Sequence, residues 1–213
     1  MYKYILFDFD GTVFDTVEGI TKSARYALNT LGMDAELDEL RCFAGPPLDD
    51  MFLERYGGTP EQAKQFVDTF RERYVPIGLY ECRVFPQVKQ LLQELRDDGR
   101  ALAVATLKPQ VLAETLLQRE GMLDLFDAVC GSCAEGHEQT KSEIAQKAMA
   151  LLGAAPEETA LIGDTKYDIH GAHECGIFAV GMEYGYAAPN ELKLAGADLI
   201  LPDIPALKKW LFE

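Results

Sequence analysis

The chain has 213 residues, 48% of them apolar and 26% charged, a composition that predicts a soluble globular protein with room for one domain plus an insertion. Its formal net charge of −15 argues against a nucleic-acid partner, and a site for an anionic ligand must gather positive charge locally. No apolar run approaches the ~20 residues of a membrane helix, so no membrane partner is expected. No secretory leader is expected either, and five irregularly spaced cysteines (Cys42, Cys82, Cys130, Cys133 and Cys175) fit the reduced thiols of a cytoplasmic protein.

Tyr4, Ile5, Leu6 and Phe7 predict a short buried strand, ended by Asp8-Phe9-Asp10-Gly11-Thr12. An unpaired buried carboxylate costs several kcal/mol, so the strand stops here with Asp8 and Asp10 at its mouth. Asp15 or Thr16 is expected to cap a helix whose apolar face holds Val17, Ile20, Ala24, Leu28 and Leu31. Helical patterns continue over Leu37–Phe43, Leu48–Tyr56 and Gln62–Tyr74, and no strand is expected between Thr12 and about Phe85. The pattern then alternates. Strands are expected at Ala101–Ala105, Ala128–Cys130, Thr159–Ile162, Ile177–Val180 and Asp198–Leu201, separated by helices, with a helix at the C-terminus. Such alternation predicts an α/β fold with a doubly wound parallel sheet. An all-helical unit (16–81) is inserted after the first strand into a core made of 1–15 and 82–213.

In doubly wound sheets ligands bind beyond the carboxyl ends of the strands, near the switch in strand order. Three strands deliver polar residues to that edge: Asp8 and Asp10, then Thr106-Leu107-Lys108, then Gly163-Asp164 with Asp168 one helical turn on. Asp164 or Asp168 alone would be an ordinary helix cap or solvated residue. With Asp8 and Asp10 they form a four-carboxylate set of hard oxygen donors, which suits Mg²⁺. Thr140 and Glu143 predict a capped helix start that places Lys141 in the first turn, where a cation opposes the helix dipole. Violations of this kind cluster at functional sites. Cys130-x-x-Cys133 lacks a second pair for zinc, and His170-x-x-His173-x-Cys175 reads as a solvated helix face. Arg41 and the Gly-Pro-Pro loop of 43–48 are candidates for substrate contact.

Together these segments resemble the haloacid dehalogenase superfamily over nearly the whole chain, with Asp8-Phe9-Asp10-Gly11-Thr12, Thr106, Lys141 and Gly163-Asp164-Thr165-Lys166-Tyr167-Asp168 matching its four motifs in order. Leu107 and Ser142 depart from the pattern common among relatives. The resemblance implies a Rossmann-like core with a helical cap. It implies a Mg²⁺-dependent phosphatase acting on a small phosphorylated metabolite, in the manner of phosphoglycolate phosphatases or nucleotide 5′-monophosphatases. It further implies Asp8 as nucleophile and Asp10 as acid and base, with Asp8, the Asp10 carbonyl and Asp164 holding the metal. Gly11, Thr12, Thr106, Leu107 and Lys141 are implied at the phosphate, and Asp168 in support of Lys141 or of a metal ligand. A phosphosugar mutase and a non-catalytic binding protein are the alternatives; the oligomeric state is left open.

Overall fold

A computed structural model describes residues 2–133 and 139–213. The chain divides into two compact units, one made of Met1–Phe14 with Val84–Glu213 and the other of Asp15–Arg83.

In chain order the elements are β1 (Tyr4–Phe7), β2 (Phe14–Asp15), α1 (Val17–Thr30), α2 (Leu48–Tyr56), α3 (Pro60–Tyr74) and β3 (Arg83–Val84). There follow α4 (Val88–Asp97), β4 (Ala101–Pro109), α5 (Gln110–Arg119), β5 (Ala128–Ser132), α6 (Lys141–Leu152) and β6 (Thr159–Gly163). The last are α7 (Lys166–Glu174), β7 (Phe178–Met182), α8 (Glu191–Leu194), β8 (Leu199–Leu201) and α9 (Ile204–Phe212).

The larger unit is built on a parallel sheet in the order β5-β4-β1-β6-β7-β8. The chain steps outward from β1 to β4 and β5, then returns to lay β6 on the other side of β1. The switch in direction therefore falls at β1. Both sheet faces are apolar, as strands covered on both sides require. On one face Leu6, Ala103, Ala105, Leu161 and Ala179 pack with Ile144, Ala145 and Ala148 of α6 and Ile169 and Ala172 of α7. The alternate residues Ile5, Phe7, Leu102, Val104 and Ile162 are equally buried on the other face, where α4 packs on β4 and α9. No described helix is long and apolar enough to cross a membrane.

The smaller unit is helical apart from single residues of β2 and β3. Its core is a run of aromatic contacts among Phe43, Phe52, Tyr56, Phe66, Phe70 and Tyr74. A side chain at Gly19 of α1 would overlap the main chain of Gly78, so the glycine permits a close backbone approach. Arg73 donates two hydrogen bonds to Glu81, which also accepts from Lys22.

Four local expectations are corrected. Strands do occur between Thr12 and Phe85: β2 and β3 form a sheet of their own, and at two residues each they leave no periodicity to detect. Leu37–Phe43 is a 3-10 helix rather than an α-helix, ending at Ala44 ahead of Gly45-Pro46-Pro47. Thr16 stands at the N-cap of α1, but its side chain makes no capping hydrogen bond. β4 continues past Ala105 to Pro109 through a shift in register against β5.

Candidate active site

Parallel pairing places the ends of three strands side by side. Phe7 is level with Val104 on β4 and with Ile162 on β6, and the Asp8 amide donates to the Ile162 carbonyl at 2.8 Å. Asp8 and Asp10 therefore emerge between Thr106–Lys108 and Asp164.

Three carboxylates meet there: Asp8, Asp164 and Asp168 each offer an oxygen within 4.8 Å of the other two. All three are buried, and Lys141, also buried, forms ion pairs with Asp8 and with Asp168, the latter at 2.6 Å. Burial is the largest force raising the Asp8 carboxyl, to about 7; the Asp168 and Asp10 charges add to it while Lys141 opposes it. Burial and the charges of Asp168 and Asp8 likewise lift Asp164 well above the carboxylate range. At Lys141 burial works against the charged form, but Asp168 and Asp8 outweigh it and hold the ammonium charged. Ionised together, the three buried acids would outnumber the one lysine and leave negative charge in excess. A cluster of hard oxygen donors with this excess fits a small divalent cation.

The expected four-carboxylate set is corrected at Asp10. Among the described residues its carboxylate is not part of the cluster but accepts from Lys108 Nζ at 3.0 and 3.2 Å. Asp168 bridges two duties. Its Oδ1 faces Lys141, while its Oδ2 accepts from the Asp164 and Thr165 amides and from the Thr165 hydroxyl, capping α7. Lys141 itself is presented by the capping box expected at the start of α6, closed between Thr140 and Glu143.

Thr12 donates its hydroxyl to Asp164 Oδ1 at 2.8 Å, and Thr106 accepts the Lys108 amide through its own hydroxyl. Leu107 offers a phosphate nothing from its side chain, which packs half-buried on the core below. Glycines make the crowding possible. A Cβ on Gly11, which has a φ of +86°, or on Gly185 would overlap Asp164, and one on Gly163 would overlap Asp168.

Sequence reasoning missed the segment after β7. The Tyr186 amide donates to Asp164 Oδ2 at 2.8 Å, and the Tyr184 hydroxyl donates to the Thr12 carbonyl at 2.7 Å. Burial, with the Asp164 charge, keeps that phenol protonated. The signal was available, because the rule that sites form past strand carboxyl ends applies to β7 as well. Other candidates do not converge. His170 is exposed, His173 meets Asp198, and Cys175 donates to the Ser142 carbonyl. Cys130 is buried and Cys133 exposed, both as free thiols. Arg41 is exposed in its own unit.

The model of the haloacid dehalogenase-like hydrolase family matches residues 5–182. The chain belongs to that family. A 5′-nucleotidase of Pseudomonas aeruginosa is 37% identical over 211 residues, covering 99% of this chain and 96% of the relative. The tyrosine-protein kinase PtkA of Mycobacterium tuberculosis is 32% identical over 185 residues, covering 86% of this chain but 63% of that protein. A solved structure described as a predicted phosphatase from Clostridium acetobutylicum is 37% identical, with a TM-score of 0.95, over 99% of this chain and 98% of that one. The haloacid dehalogenase-like hydrolase fold accounts for the sheet order and for the edge where the carboxylates gather.

Proposed function

We propose that the protein is a Mg²⁺-dependent phosphatase that hydrolyses small phosphomonoesters through an aspartyl-phosphate on Asp8. The observation that carries this reading is the meeting of Asp8, Lys141, Asp164 and Asp168 at the switch-point edge of the sheet. An Asp8 oxygen attacks phosphorus, and the bond from phosphorus to the alcohol oxygen breaks. Asp10 gives its proton to that oxygen, then takes one from the water that attacks the aspartyl-phosphate, so that phosphate leaves and Asp8 is restored. Lys141, the Thr106 hydroxyl and main-chain amides around Gly11, Thr12 and Leu107 hold the phosphoryl oxygens. Asp8, the Asp10 carbonyl and Asp164 would hold Mg²⁺, which when bound supplies positive charge against the phosphoryl group. Asp168 keeps Lys141 aimed.

The helical unit serves in this reading as a cap that sets substrate choice and excludes water. Nucleoside 5′-monophosphates rank first as substrates, because the 37% identical relative is named a 5′-nucleotidase; phosphoglycolate-sized esters rank second. Five cysteines in the thiol form fit action in the cytoplasm.

The test is phosphate release from a panel of phosphorylated metabolites, run with Mg²⁺, with Ca²⁺ and with chelator. Turnover with Mg²⁺ and little with Ca²⁺ is expected, since Ca²⁺ takes more ligands at longer distances. Full turnover in chelator would overturn the metal assignment, and phosphate release by Asp8→Asn would overturn the nucleophile.

A further inference from the structure

We propose that Lys108 is a positioning residue for Asp10, holding its carboxyl group apart from the Asp8 cluster and aimed for proton transfer, and that a break in β4 seated on Gly131 places it there. This rests on the reading of Asp10 as acid and base given above.

Two carboxylates separated by one residue could be drawn to the same lysine. They are instead served separately: Lys141 pairs with Asp8, and Lys108 with Asp10. The Lys108 side chain is 3% exposed and that of Asp10 13%, so this is no surface pair. Its Nζ lies 3.0 and 3.2 Å from the two Asp10 oxygens, fixing both at once, and 5.7 Å from the centre of the Phe9 ring. Phe9 is fully buried and stacked on Phe14, so the wall behind Lys108 is closely packed.

The backbone that presents Lys108 is built for the purpose. β4 is level with β5 at Ala105 and Cys130, then level again at Pro109 and Ser132. Four steps on β4 therefore match two on β5, and Thr106, Leu107 and Lys108 stand out of the ladder. The Lys108 amide turns back to the Thr106 hydroxyl at 3.2 Å. The break closes onto Gly131, where a Cβ would lie 2.5 Å from the Lys108 carbonyl oxygen and 2.6 Å from Gln110 Cα. A residue larger than glycine there would displace the segment that carries Lys108.

The consequence is specific to the leaving group. When the bond from phosphorus to oxygen breaks, the electron pair stays on the departing oxygen, which takes the Asp10 proton; the carboxylate left behind faces Lys108. A misplaced Asp10 should slow departure of an alkoxide, which needs that proton, far more than departure of a nitrophenolate, which does not.

The experiment compares benzyl phosphate with 4-nitrophenyl phosphate, matched in size, for wild type, Lys108→Met, Asp10→Asn and the double variant. Lys108→Met should lose on the order of a hundredfold in kcat on benzyl phosphate and less than about tenfold on 4-nitrophenyl phosphate, within the range of general acid catalysis. The double variant should be no slower than Asp10→Asn alone, because Lys108 acts through Asp10. It also removes both charges of the pair, so it stays informative if Lys108→Met folds poorly. Equal losses on the two esters for Lys108→Met, beside unequal losses for Asp10→Asn, would overturn the positioning role and point to a contact with phosphate. Additive losses in the double variant would overturn it as well. Equal losses for Asp10→Asn would instead remove the acid-base reading of Asp10 itself.

Discussion

Taken without the carboxylates around it, Lys141 would be an ordinary exposed lysine at the start of a helix. In that setting its removal would leave stability unchanged or slightly improved, because it opposes the helix dipole. The structure reverses the expectation: the side chain is buried between Asp8 and Asp168. Lys141→Ala should therefore destabilise the metal-free protein, by on the order of 3 kcal/mol, as deletion of one partner of a buried charge pair does. It should also slow turnover on the order of a hundredfold or more through loss of a preorganised charge. Lys141→Arg should restore part of the stability but little of the activity, since a planar fork does not fit the place of a compact ammonium. Denaturant melts and steady-state rates on the two variants decide this. A stable, active Lys141→Ala would remove the residue from the site.

The segment after β7 behaves as part of the site rather than as a connection. Tyr186 hydrogen-bonds Asp164 through its amide, and Gly185 brings the backbone so near that a Cβ would overlap that side chain. Gly185→Ala should push Asp164 off its position and lower activity by at least tenfold, at a stability cost of about 1–3 kcal/mol, the usual price of overpacking. Gly153→Ala is the control. Unlike Gly185 it sits at a positive φ, and nothing lies within 4 Å of a Cβ there, so the change should cost stability through backbone strain alone and leave the rate unaltered. Measuring both variants for melting and turnover separates crowding at Asp164 from backbone strain. Equal turnover in the two would show that the β7 segment does not position Asp164.

At the scale of the molecule, the buried acids tie stability to pH and to metal. The Asp8 carboxyl rises from its ordinary 3.8 to about 7 on folding. Between these values the folded, metal-free protein keeps a proton that the unfolded chain has released, so this group's contribution to stability falls as pH rises from about 4 to about 7. Asp8→Asn should flatten that slope, and its advantage over wild type should be largest above about pH 7. Mg²⁺ should stabilise wild type most at the same high pH, since a ligand that binds only the folded state adds to stability. Urea melts of both proteins across this range, with and without Mg²⁺, check the sign; a wild type that gains stability over Asp8→Asn as pH rises would contradict it. Cys133 is exposed and free, so Cys133→Ser and mild reduction should leave melting and turnover unchanged, and a loss on reduction would reveal a required disulfide.

What was legible in the sequence is what local chemistry decides. The apolar run Tyr4–Phe7 reads as a buried strand, the alternation after Phe85 as a parallel sheet with helices, and Thr140-x-x-Glu143 as a helix start that places Lys141 in the first turn, and the structure has each of them. Each depends on neighbours within a few residues, whose periodicity and capping preferences act before the chain is folded. The edge at which Asp8, Thr106 and Asp164 collect follows from the same alternation, by way of strand order. The tertiary structure alone decided which charge meets which. Lys108 rather than Lys141 faces Asp10, at a register break over Gly131 that takes it out of the ladder between β4 and β5. Asp168 caps its own helix and holds Lys141 with the same carboxylate, and Tyr184 and Tyr186 close on Thr12 and Asp164 from a segment distant in sequence. Those pairings join residues up to 172 positions apart. Their partners are chosen by sheet register and by glycine-sized gaps between packed segments, and neither leaves a mark in the local pattern of the chain.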